Sequence, residues 1–232
     1  MTTDQLPDSE PLPQHLTLWD FIGSHPASTT LMLISLAVAF WTQLGSSISR
    51  DGWLTFVAIS DLVENQGYLP GLTDGQLWRI ITPIFLHFGI IHLVFNMMWL
   101  YDLGGIIETK WSSRRLLILV AVIGSISNAA QFVINGDFTH GIQYANALSG
   151  GMSGVVYGLF GYIWIRSLRE PSLGLHLNRQ TVVMMMGWLV FCMTGLMGYI
   201  GNTAHAVGLL VGIGAGFIRA RDSHSGVDVT SI

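Results

Sequence analysis

The chain has 232 residues, of which 10% are charged and 50% hydrophobic, with 27 glycines and 8 tryptophans. That composition excludes an ordinary soluble domain, and a formal charge of −4 without a basic block excludes a nucleic-acid partner. Cys192 is the single cysteine, so no internal disulfide can form, and scattered histidines with one cysteine argue against a zinc site.

The first stretch, "MTTDQLPDSEPLPQHLTLWD", carries acids and prolines and no Lys or Arg. No basic segment opens it, so no secretory signal is expected, and residues 1–27 read as a short flexible cytoplasmic tail. Apolar stretches then recur at about 28–45, 83–107, 115–135, 147–165, 181–200 and 202–218. Each approaches the ~20 residues that cross ~30 Å of hydrocarbon. The connection 46–82 mixes apolar clusters with acids and turn residues, and it reads as an amphipathic segment lying in the interface. The expected fold is therefore all-α and polytopic: a six-transmembrane-helix bundle over residues 28–220, followed by a flexible cytoplasmic tail at 221–232.

Basic residues orient such a bundle. Lys110, Arg114 and Arg115 follow the second span, Arg166, Arg169 and Arg179 the fourth, and Arg219 and Arg221 the sixth. Only Arg50 and Arg79 fall on the other side. Both termini are expected in the cytoplasm.

Polar groups inside a membrane are costly and mark function. Counting from the cytoplasmic charges, Ser153 is 13 residues above Arg166, His205 is 14 above Arg219, and Asn96 is 14 above Lys110. At 1.5 Å per residue all three sit roughly 20 Å up, and His92 roughly 27 Å. His92 and Asn96 share a helix face, as do Ser153 and Tyr157. Gly150, Gly154 and Gly158 recur every fourth residue, as do Gly208, Gly212 and Gly216, so the fourth and sixth spans are expected to approach closely. Ser153 then comes within reach of His205. A serine hydroxyl needs a base to become a nucleophile, and His205 is the candidate. Donors for an oxyanion are available from His92 and Asn96 and from the helix start at Gly151 and Ser153. Tyr157, one turn below the serine, is placed to orient the imidazole. Asp102 sits only ~12 Å up, too low for a triad, so a Ser–His dyad is expected. The soluble G-x-S-x-G elbow is not satisfied.

"HLVFN" (92–96), "GMSG" (151–154) and "AHAVG" (204–208), in this order on the second, fourth and sixth spans, resemble the signatures of the rhomboid intramembrane serine proteases. Trp78-Arg79, Gly104-Gly105 and Glu108 add to the resemblance, which covers roughly residues 30–220. It implies Ser153 as nucleophile and His205 as general base. It implies His92, Asn96 and backbone groups near Gly151 as the oxyanion side, and Tyr157 packed on the histidine. It implies transmembrane proteins in the lipid bilayer as substrates, a mobile gate in the fifth span and residues 197–203, and neither metal nor cofactor. Asp102 departs from the family pattern and is expected to pair with a basic residue of a cytoplasmic loop. A bacterial inner membrane is the expected location.

Structural readings exist for each residue alone: Ser153 as a packing serine, His92 and Asn96 as an interhelical polar pair, His87 as a loop or structural residue. His15, His25, His140, His176 and His224 read as solvated. A small transporter lined by His92, Asn96 and His205 is a second reading, though no inverted repeat supports it. A non-catalytic rhomboid-like binder of membrane helices is a third, though that class usually lacks the serine or the histidine.

Overall fold

The computed structural model describes residues 17–47, 50, 52–56, 74–135, 149–175, 177–196 and 201–218. Among them there are helices and turns and no strand. The proposed gate residues 197–200, most of the 46–82 connection and His15, His140, His176 and His224 lie outside the described residues.

The chain becomes ordered earlier than the sequence suggests. Within the segment expected to be flexible, Leu18–Ser24 form α1. A capping box starts it: the Thr17 hydroxyl accepts from the Asp20 N–H at 3.2 Å, and the Asp20 carboxylate accepts from the Thr17 N–H at 2.9 Å. The Thr17 hydroxyl and then its N–H hold the Asp20 carboxyl below its ordinary value. Phe21 is buried, stacking on His25 and on Tyr101 with centroids 4.3 and 3.9 Å away. His25, expected in solvent, is buried as well, with Nε2 2.8 Å from the Thr109 hydroxyl. Trp19 and Leu18 face outward, 80% and 63% exposed.

α2 (Pro26–Trp41) leaves α1 at 108°. Its first N–H groups have no acceptor within the helix. Glu108 supplies one from another element, accepting from Ala27 N at 2.7 Å, Ser28 N at 2.9 Å and the Ser28 hydroxyl at 2.8 Å. α3 (Ile90–Lys110) begins seven residues later than the apolar pattern, because Pro83 favours a short 3₁₀ turn at Thr82–Phe85 and Gly89 enters the helix with φ of +103°. It carries a π turn at Leu100–Gly104 around Asp102. Asp102 does not find the cation expected for it: among the described residues it has no partner. It lines a cavity of about 400 Å³ together with Tyr101, Lys110 and Leu175.

α4 (Ser113–Asn135) matches the third apolar stretch. α5 (Ser153–Arg169) is buried all round from Gly154 to Ile163, which makes it the central helix. α6 (Arg179–Met193) is peripheral, and α7 (Asn202–Phe217) lies against α5. The glycine stripes explain that contact. A Cβ on Gly208 would strike the Gly154 carbonyl, and one on Gly212 the Gly158 carbonyl. Only glycine lets these backbones touch.

α3 and α4 are each long and apolar enough to cross a membrane, and α1 with α2 passes only as a bent pair. α6 and α7 are apolar but shorter. Phe40, Leu210 and Val183 point outward, 89%, 65% and 63% exposed, as a lipid-facing surface requires.

Candidate active site

Ser153 is the first residue of α5. Its N–H therefore has no acceptor within the helix. The chain reaches it through Gly150 and Gly151, which press against the segment before α3. A Cβ on Gly150 would lie 2.6 Å from the Pro83 carbonyl oxygen. Gly151 adopts φ of +121°, a conformation open to glycine, and its N–H donates to that same carbonyl at 2.8 Å.

The close packing of α5 on α7 brings the serine to its partner. The Ser153 hydroxyl oxygen lies 2.7 Å from His205 Nε2. The imidazole is 5% exposed, and its Nδ1 has no hydrogen-bond partner among the described residues. Among the described residues no carboxylate stands behind it. Tyr157 packs on the ring, with centroids 5.1 Å apart and planes at 39°. Its hydroxyl donates to the Met185 carbonyl at 3.1 Å, so the same side chain links α5 to α6.

His92 stands against Gly151, two residues before the serine. A Cβ on Gly151 would lie 2.7 Å from His92 Nε2, so the ring edge occupies the space that any larger residue at 151 would fill. His92 Nδ1 accepts from the Phe88 N–H at 3.4 Å. With Nδ1 as acceptor, the neutral ring carries its proton on Nε2, which faces Gly151. Asn96, one turn along, is buried with its amide nitrogen unpaired. Gly151 thus contributes shape, while its own N–H is committed to Pro83. The unpaired side-chain donors on this side come from His92 and Asn96.

Further side chains support the candidate site, and of these the sequence reading passed over Gln131. The Gln131 carbonyl oxygen accepts from the Ala204 N–H at 3.0 Å, fixing the start of α7 beside His205. The Asn202 amide donates to the Cys192 carbonyl at 3.1 Å and ties α7 to α6. His87 is fully buried, its ring 5.2 Å from that of His92. Gln131 lies four residues after Ser127 on a polar face of an otherwise apolar span, and that was the one legible signal.

Residues 74–222 match a family model described as the Rhomboid domain. Over 189 residues the chain is 34% identical to the rhomboid protease GlpG of Pectobacterium atrosepticum, covering 81% of this chain and 60% of that protein. Over 144 residues it is 33% identical to the rhomboid protease GlpG of Salmonella paratyphi A, covering 62% of this chain and 49% of that one. The chain thus spans about half to three fifths of the length of these curated relatives. The family match takes in well over half the chain, and with its long apolar helices this integral membrane protein belongs to the rhomboid family.

Proposed function

We propose that the protein is an intramembrane serine endopeptidase that cuts peptide bonds in or near transmembrane segments of other membrane proteins. The observation that carries this reading is the 2.7 Å contact between the Ser153 hydroxyl and His205 Nε2.

In the proposed reaction His205 Nε2 takes the Ser153 proton as the oxygen attacks the substrate carbonyl carbon. The carbonyl becomes an oxyanion, and His92 Nε2–H, the Asn96 amide and the Ser153 N–H stabilise it. The C–N bond then breaks, and the leaving amine takes the proton from His205. Water, deprotonated by the same imidazole, attacks the acyl-serine, and collapse releases the acid and restores the hydroxyl. Two groups carry the proton traffic, since the described residues place no acid at His205 Nδ1. Tyr157 holds the ring plane so that Nε2 keeps its aim at the serine.

The membrane arrangement belongs to the same proposal. Six spans would be supplied by α2 to α7, with both termini in the cytoplasm of a bacterial cell and the site below the outer surface of its inner membrane. Transmembrane proteins are the substrates.

A fluorophosphonate probe tests the nucleophile directly. The detergent-solubilised full chain should label at Ser153. His205→Ala should label at least ~10³-fold more slowly, as removal of a catalytic base predicts. A folded chain that does not label at all, or labels equally without His205, would contradict the assignment.

A further inference from the structure

α2 does not simply stop at Trp41. It runs into three successive residues with positive φ: Gln43 at +53°, Leu44 at +56° and Gly45 at +78°. Residues with side chains rarely enter this region, and two in succession persist only where the surroundings hold them. Here they are held at both ends. The Leu44 N–H donates to the Ala39 carbonyl at 2.8 Å, and the Leu44 carbonyl accepts from the Gly89 N–H at 3.2 Å. The glycine is needed for a second reason besides its φ. A Cβ on Gly45 would collide with the Phe88 ring.

Beyond α2 the turn touches Phe88 and Gly89, and they lead directly to His92. Gly89 is the N-cap of α3, and the Phe88 N–H is the donor to His92 Nδ1. That bond decides which ring nitrogen carries the proton and where it points. A chain of contacts therefore runs from Gln43–Gly45, through Phe88 and Gly89, to the Nε2 edge of His92 over Gly151.

We infer that the left-handed turn Gln43–Leu44–Gly45 is a positioning element for His92: by seating Phe88 and Gly89 it fixes the imidazole tautomer and aim that place an N–H at the oxyanion. The turn touches no reacting atom and acts only through its neighbours. The use of that N–H rests on the peptidase reading; the hold on the ring does not.

The test uses the full chain in detergent with ¹⁵N-labelled histidine, the His92 ring signals being those lost in His92→Gln. The unaltered chain should show Nδ1 unprotonated and Nε2 protonated. Gly45→Ala should mix the two tautomers and lower kcat about tenfold, with KM changed less than about twofold, as a misplaced donor predicts. Leu44→Val opposes positive φ without meeting Phe88; it should act the same way and keeps the test open if Gly45→Ala does not fold. Leu44→Gly, which adopts the same turn freely, should leave tautomer and kcat as they were. Folded Gly45→Ala or Leu44→Val with an unchanged His92 tautomer would overturn the inference, even if kcat fell. Failure of the unaltered chain to react with a fluorophosphonate, with the tautomer response intact, would sink the peptidase reading and leave the turn's hold on His92 standing.

Discussion

Gly151 shows how much of this site is decided by a missing atom. Its φ of +121° and the 2.7 Å that would separate a Cβ from His92 Nε2 both demand glycine. The consequence is a ring edge with an N–H lying against the start of α5, at the residue two before Ser153. Asn96 adds a buried donor with no hydrogen-bond partner among the described residues, and such groups are costly to leave unmade unless a ligand uses them. Asn96→Ala should therefore lower kcat by about 10²-fold with little change in KM, because in the proposed reaction the bond it supplies forms in the transition state. Steady-state cleavage of a transmembrane substrate would measure this; a rise in KM at constant kcat would assign Asn96 to substrate binding instead. At this scale most residues of the candidate site were legible. Ser153, His205, His92, Asn96 and Tyr157 stood out because polar groups in apolar spans are rare. Gln131 was passed over although, with Ser127, it marks a polar face in an apolar span. Phe88 and the Gln43–Gly45 turn carry no such signal, because a phenylalanine in a loop is unremarkable and backbone sign is invisible in one sequence.

Between elements, the informative feature is how few polar contacts hold apolar helices in register. Glu108 is the clearest case. It accepts four hydrogen bonds, from Ala27 N, Ser28 N, the Ser28 hydroxyl and the Ser113 hydroxyl, and so ties α3 to the start of both α2 and α4. Glu108→Ala leaves the α2 N-terminus uncapped and its dipole uncompensated. It should cost about 3 kcal/mol, as lost bonds to a buried charged acceptor do. Thermal unfolding in detergent would read it, and an unchanged midpoint would show that the helix junction draws its stability from apolar packing alone. The boundaries of elements were less legible than their existence. The second apolar run starts at Pro83, yet α3 starts at Ile90; the fourth starts near 147, yet α5 starts at Ser153. Hydropathy cannot separate an apolar α-helix from other apolar backbone. In both places chain outside the α-helices builds the candidate site, since Pro83, in its 3₁₀ turn, and Gly150 and Gly151 bond and pack there. α1 was missed because its prolines and acids lie upstream, while the capping box Thr17–Asp20 passed unremarked.

Taken whole, the molecule is arranged around α5, with α7 against its glycine face and Ser153 at its first turn. The glycine periodicity in the sequence anticipated this pairing, which is why a contact between residues 52 positions apart was legible at all. Asp102 was the opposite case. An unpaired carboxylate at the wall of a 400 Å³ cavity follows from no pattern in the sequence, and no described cation pairs with it. In the proposed function Ser153 and His205 together hydrolyse peptide bonds within the membrane. Cleavage of a single-span membrane protein by the purified full chain, without added metal, can be compared with cleavage by Ser153→Ala and His205→Ala. The unaltered chain should cut, and each variant, while folded, should lose cutting by at least ~10³-fold. Undiminished cleavage by Ser153→Ala would rule the peptidase reading out.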